Sequence, residues 1–288
     1  MNKQEAVHSK PIAITYPVVR NFRTTMIGLA RRIIIKTYND VKGSYTRDIG
    51  ATGLDGDIDE DLYMIRQKRY EYELLWREEG EEAVAKLLAK LLKNSSLSVE
   101  RALREIRPEK KAVFPVPEIV EYERPNDFYT TQWALKKNEP LNPRMKNILK
   151  ASFAGNMTIF NQIMSDYFAK VDGIISRGVQ NGATLSQIKA EMHALGNQTL
   201  RRVSDVAEDQ AYKDFTSMIV QQGKEQGVKK FMWVHTYKGK RPRLFHKNVL
   251  NGKIFDMDNP PIIEPKTGIR GYPAQLPYCR CQMSFVNI

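Results

Sequence analysis

The spacing of apolar residues changes at Gly227, and this change constrains the fold more than any other feature of the chain. Before Gly227, apolar side chains recur every three or four residues, the period of an α-helix with one buried face. After it, short runs such as 231–234 are separated by Gly, Asn and Pro, as in a small sheet. The sequence therefore predicts an α+β protein with a mostly helical N-terminal region and a small C-terminal domain of helix plus antiparallel sheet.

The helical region divides into several predicted helices. Residues 22–38 predict a basic amphipathic helix, and the acidic run 59–61 is expected in the first turn of the next, where carboxylates favour the positive end of the helix dipole. Thr184 and Gln187 have the spacing of a capping box. The other predicted helices are 62–92 with a break at Gly80, a short helix after Ser98, 145–153, 158–178, and a long helix capped by Asn197 that ends near Gly223.

Prolines suggest where the chain divides. Pro108, Pro115 and Pro117 interrupt the helical pattern, and residues 113–122 read as extended. We therefore expect three regions: a helical N-terminal region over 1–125 with an extended arm or linker at about 108–125, a helical middle region over 126–199, and a C-terminal domain over 200–288.

Charge and composition limit the classes of partner. Lys and Arg number 45 against 33 Asp and Glu, a net charge of +12 that favours polyanions or an acidic protein surface. No apolar run is long enough for a membrane span or a signal peptide, so a cytoplasmic origin is expected. The two cysteines, Cys279 and Cys281, are too close in sequence to favour a mutual disulfide.

A basic segment between Val228 and Lys253 is the predicted nucleic-acid-binding site, since it contains no Asp or Glu. If about half of its cations met phosphates, the salt dependence of binding would have a slope of magnitude roughly 3 to 4. Trp233 could stack on bases, but a strand position favours the core. The basic residues are Lys229, Lys230, Lys238, Lys240, Arg241, Arg243, Lys247 and Lys253.

A zinc site at His246, Cys279 and Cys281, with His235 nearby, is the less favoured interpretation of the C-terminal cysteines. Structural zinc usually takes cysteine pairs two to four residues apart. Alternation along a strand is expected to direct one of the two thiols away from the site. The favoured interpretation has no metal or other cofactor, with one cysteine in the core and His246 hydrogen-bonded to a loop.

An ordered series of motifs fills the C-terminal third of the chain, residues 200–288, and no single motif in it is specific. In order, they are a helix ending at Gly227-Val228, Trp233-Val234-His235, Arg241-Pro242-Arg243, His246, Leu250-Asn251-Gly252-Lys253-Ile254-Phe255, Pro260-Pro261, and Pro277-Tyr278-Cys279-Arg280-Cys281. Together they resemble the C-terminal domain of the phage Mu F-like minor head proteins. Within the series, Asn251-Gly252 predicts a turn between short strands.

The resemblance implies a structural role in the head of a tailed bacteriophage, in head morphogenesis at the portal and capsid interior. The implied partners are portal protein, capsid protein and packaged double-stranded DNA, with no membrane, in a virion assembled in the bacterial cytoplasm. We expect no enzymatic activity, because His246 has no nearby acid in sequence and no phosphate-binding loop is present. The alternatives are a nuclease-like or toxin-like enzyme that uses His246, Arg241 and Arg243, and a host nucleic-acid-binding module.

Overall fold

Long helices dominate the protein. The computed structural model describes residues 6–48, 58–107, 119–123, 132–135, 141–236 and 242–287. The predicted α+β class is confirmed, with about 70% helix beside a small C-terminal antiparallel sheet. In the described ranges the long helices are α1 (Tyr16–Asp48), α2 (Ile58–Ile106), α3 (Pro143–Gln180) and α4 (Leu185–Glu225).

The strands are short and pair antiparallel. They are β1 (Val7–His8), β2 (Ile119–Glu123), β3 (Gln132–Leu135), β4 (Lys230–Val234), β5 (Ile254–Asp256), β6 (Ile262–Glu264), β7 (Ile269–Arg270) and β8 (Gln282–Asn287), with a π-helical turn at His246–Leu250 between β4 and β5. The main sheet has the order β1-β8-β4-β5, while β2 pairs with β3 and β6 with β7.

Alternation of buried side chains fixes the register of the main sheet. Phe231 and Trp233 of β4 are fully buried, and the residues between and beside them are partly exposed. Phe231 lies opposite Phe285 of β8, and Trp233 lies opposite Met283. Four consecutive residues of β8, 283–286, are buried, as expected for a central strand covered on both faces.

Several predicted breaks in the helices are absent. Helix α2 runs unbroken through Gly80 to Ile106, so the predicted interruption and the separate short helix after Ser98 are both wrong. Burial explains the first error: Val84, Leu88 and Leu91, which follow Gly80 in the helix, are fully buried, and their burial outweighs the small penalty for a glycine inside a helix. Helix α3 likewise joins the two predicted segments 145–153 and 158–178.

The ends of α4 follow the sequence signals. Thr184 precedes the first residue of the helix, its backbone N–H donates to Gln187 Oε1 at 2.7 Å, and Gln187 N–H donates back to Thr184 Oγ1 at 3.4 Å. This confirms the predicted capping box. Asn197 lies inside α4 and caps nothing, contrary to the prediction. The helix ends at Glu225, and the φ of 73° at Gly227 lets Val228 N–H donate to Gly223 O at 2.9 Å.

The chain forms two compact units that interleave along the sequence. One comprises residues 1–20, 85–153 and 208–288, and the other comprises 21–84 and 154–207. The first contains the main sheet. In the second, Phe160 of α3 is fully buried and contacts Phe22 and Trp76 edge-on with ring centroids 5.9 and 6.3 Å apart. In the part of the chain that the structure describes, no helix is long and apolar enough to cross a membrane.

Candidate functional site

Two histidines and two cysteines meet in the first compact unit, next to the strands of the main sheet. His235 follows β4, His246 begins the π-helical turn, and Cys279 and Cys281 lie just before β8. All four are buried, and His246 is only 1% exposed. We call these four residues the His-Cys cluster. Segments separated by more than forty residues therefore converge on one interior point.

The distances within the His-Cys cluster are short. His246 Nδ1 lies 3.5 Å from Cys279 Sγ and 3.8 Å from Cys281 Sγ. His235 Nδ1 lies 3.4 Å from Cys281 Sγ. The ligand atoms of His246, Cys279 and Cys281 all lie within 4.8 Å of one another, so these three residues could hold a metal ion. Both cysteines are free thiols, which agrees with the prediction that they form no disulfide.

The expectation that one thiol points away from the site is wrong. Residues two positions apart along an extended chain lie on the same face, so Cys279 and Cys281 point together. Arg280 between them points the other way, toward α4. The strand β8 begins only at Gln282, after both cysteines. The favoured interpretation placed one cysteine in the core and His246 in a hydrogen bond to a loop. The structure instead buries both cysteines, and His246 Nε2 pairs with the backbone oxygen of Ile263 in strand β6.

Arg280 fixes the Cys-Arg-Cys segment to α4. It is 7% exposed, and its Nη1 donates to Asp209 Oδ1 at 2.7 Å while its Nε donates to Glu208 Oε1 at 3.1 Å. Its guanidinium lies over the Tyr212 ring, 4.4 Å from the centroid. The Asp209 carboxylate also accepts the backbone N–H of Tyr278 at 3.0 Å, which supports the left-handed φ of 60° at that residue. One buried charge cluster thus positions both thiols.

The opposite side of the cluster is positioned by the loop after β4. The Asn251 side chain accepts the backbone N–H of His235 at 2.8 Å. Gly252 adopts a φ of 75° and donates to Trp233 O at 2.8 Å. The predicted turn at this position is confirmed, although it follows the π-helical turn and does not close a two-residue hairpin. The Trp233 ring packs edge-on against His246, with centroids 5.0 Å apart.

The electrostatics of the cluster distinguish its two thiols. A hydrogen bond from Cys281 lowers the pKa of Cys279, and His246 acts in the same direction against the effect of burial. The same hydrogen bond and burial raise the pKa of Cys281, which keeps its proton. Burial is the main cause that lowers the pKa of His235, so its imidazole is neutral near pH 7.

The predicted basic segment does not form a single acid-free surface. Lys229 and Lys230 lie at the start of β4, where Lys230 is directly opposite Asp256 and the charge of Lys229 acts on Asp258. Arg243 is half-buried, and its Nη1 lies 3.2 Å from Glu264 Oε2. These three cations therefore face carboxylates that are distant in sequence.

The remaining described cations of the segment are on the surface. Lys247 lies in the π-helical turn and Lys253 just before β5, and both are exposed. Trp233 is buried in the core, as its strand position predicted, so it is not available to stack on bases. Tyr237 and the predicted binding residues Lys238, Lys240 and Arg241 lie outside the described residues.

The partners of Arg280 are the functional neighbours that sequence reasoning missed. Glu208 and Asp209 lie about seventy positions earlier, on a helix where adjacent acidic residues are usually solvated. The one available signal was an arginine held between two buried cysteines, because a buried cation needs an anionic partner.

Comparison with known proteins agrees with the resemblance carried by the ordered motifs. The sequence model of the family described as "Phage Mu protein F like protein" matches residues 169–284, a range that includes the whole His-Cys cluster. The predicted resemblance is thereby confirmed over that range. An uncharacterized protein of Haemophilus influenzae is 29% identical over 119 residues, which cover 41% of this chain and 26% of that protein. The chain thus spans about a quarter of the length of this curated relative. No solved structure matches the chain.

Proposed function

We propose that the protein is a non-enzymatic minor head protein of a tailed bacteriophage. It acts in head morphogenesis at the portal and capsid interior, contacts the packaged double-stranded DNA, and resides in the virion after assembly in the bacterial cytoplasm. The observation that carries this proposal is the Mu F-like match over residues 169–284, which contains β4, β5 and the His-Cys cluster.

The charge of the chain supports contact with a polyanion. The formal net charge is +12. Within the Mu F-like range, the side chains of Lys247, in the π-helical turn, and of Lys253, just before β5, are exposed. Exposed ammonium groups of this kind give sequence-independent attraction to phosphate, and the same charge would favour an acidic portal or capsid surface.

The burial of His246 supports a structural role over a nuclease-like one. A general acid-base must reach the proton that it transfers. The His246 ring is 1% exposed, its Nε2 lies 3.0 Å from Ile263 O, and its Nδ1 faces the two thiols. Arg243, the described arginine of that alternative, pairs with Glu264. A direct check is incubation of the purified protein with plasmid DNA and Mg²⁺, in which we expect the plasmid to remain intact.

Portal binding is tested by co-sedimentation of the purified protein with the portal protein of the same phage. We expect the two proteins to sediment together at moderate salt, since a stable assembly contact does not depend on exposed charge alone. If the protein remains in the supernatant, but binds DNA in low salt with an affinity that falls steeply as salt is added, the host nucleic-acid-binding module becomes the better account.

DNA contact is tested by measuring duplex affinity across a salt series. Each neutralised phosphate contributes about 0.9 to the magnitude of the slope of log affinity against log salt. We expect Lys253→Gln to reduce this magnitude by about 0.9. Lys266→Gln is the matched control, because it removes the same charge from an exposed position outside the basic segment. Equal slopes for the two variants would remove Lys253 from the proposed interface.

A further inference from the structure

We propose that the His-Cys cluster is a structural zinc site, with His246, Cys279 and Cys281 as ligands and His235 as the fourth ligand. The site belongs to the interior of the C-terminal domain. It is independent of the proposed head function, because it rests only on the geometry of these four side chains.

The distances between the side chains match those of a tetrahedral zinc centre. Zinc binds sulfur at about 2.3 Å and imidazole nitrogen at about 2.0 Å, so two such ligands in tetrahedral geometry lie about 3.5 Å apart. The three nitrogen-to-sulfur distances are 3.5, 3.8 and 3.4 Å. His246 Nδ1 thus has this separation from both sulfurs, and the ligand atoms of His246, Cys279 and Cys281 all lie within 4.8 Å of one another. His235 Nδ1 has the same separation from Cys281 Sγ, which makes it the nearest candidate for the fourth ligand.

His246 is oriented as a metal ligand. Its Nε2 lies 3.0 Å from the carbonyl oxygen of Ile263, and a carbonyl can only accept, so Nε2 carries the proton. The lone pair is then on Nδ1, the atom that faces both sulfurs. A backbone carbonyl that holds the remote ring N–H is the usual partner of a zinc-bound histidine. The edge-on contact with Trp233 also limits rotation of the ring.

The donor set and its burial select the ion and its role. Two thiolates with two imidazoles suit zinc, and four protein ligands leave no open position for a substrate. Binding joins each thiolate sulfur to the ion and releases the thiol protons to solvent, while His246 keeps the proton on Nε2. The ion would link the end of β4, the π-helical turn and the start of β8. Such a link needs no disulfide in a reducing cytoplasm.

The test measures zinc content, cobalt spectra and thermal unfolding of the full chain. The protein is purified, depleted with a chelator and titrated with zinc or with cobalt alone. We expect one zinc per chain, a melting temperature that falls on chelation and recovers with zinc, and visible cobalt bands of a tetrahedral thiolate site. Wild-type protein that retains no zinc, and whose melting temperature does not respond to zinc, would overturn the proposal.

Variants separate the site from adventitious binding. In the chain that combines Cys279→Ser with Cys281→Ser, we expect zinc to be lost and the thermal response to disappear, with circular dichroism reporting whether the helices remain. His193→Gln is the control, since this histidine is exposed on α4. Zinc bound equally by the double-serine chain would overturn the proposal.

The role of His235 as the fourth ligand has its own test. For His235→Gln we expect at least a tenfold weaker zinc affinity and a changed cobalt spectrum. An unchanged affinity and spectrum would exclude His235 as the fourth ligand.

Discussion

Arg280→Met should strongly destabilise the compact unit that contains the main sheet. The variant keeps much of the side-chain volume but removes the hydrogen bonds to Asp209 and Glu208. The side chains of Arg280 and Asp209 are only 7% and 10% exposed, so Asp209 would be left as a buried charge without its cation. Removal of one partner from a buried ion pair costs about 3–5 kcal/mol.

The assay is urea unfolding followed by far-ultraviolet circular dichroism. Arg104→Met is the matched control, because Arg104 also pairs with a glutamate, Glu100, but is 71% exposed on α2. An exposed pair of this kind contributes about 0.3–0.5 kcal/mol. We therefore expect a large loss of unfolding free energy for Arg280→Met and a small one for the control. Similar losses for both variants would refute the reasoning that Arg280 anchors the Cys-Arg-Cys segment through a buried charge cluster.

Three smaller changes, one of them a control in α3, test the packing and the capping of α4. Gly223→Ala should lower the unfolding free energy by about 1–3 kcal/mol, because its new carbon would lie 2.7 Å from the buried Phe285 ring. Gly155→Ala in α3 has nothing within 4 Å and should instead stabilise by up to about 1 kcal/mol, so equal signs for the two would contradict the packing account. Thr184→Ala should cost about 1 kcal/mol through loss of the capping box with Gln187, and an unchanged melting temperature would show that the cap contributes nothing.

Local signals in the sequence predicted the elements well where they depend on nearby residues. The capping box at Thr184, the left-handed turn at Gly227 just after α4 and the core position of Trp233 all follow from short-range chemistry. The break predicted at Gly80 is wrong because the burial of the apolar residues that follow it overrides the local preference of glycine. A penalty of about 1 kcal/mol for glycine is small beside the burial of the apolar stripe that follows it.

The candidate site could be predicted only in part, because its geometry depends on contacts between distant segments. The sequence identified His246, Cys279 and Cys281 as a possible set, but it could not show that both thiols face the same imidazole. It also presented the basic segment as free of acids, whereas the sheet register brings Asp256 opposite Lys230. Pairing across a sheet and against α4 is set by tertiary packing, which a linear pattern does not record.

The protein composition of purified phage heads tests the central claim most directly. Heads produced from the genome that encodes this chain would be purified through a salt wash and analysed by quantitative mass spectrometry. We predict that the protein is present in a few copies per head and remains with the portal protein after the wash. Its absence from heads, with the protein found only in the soluble lysate, would contradict the account.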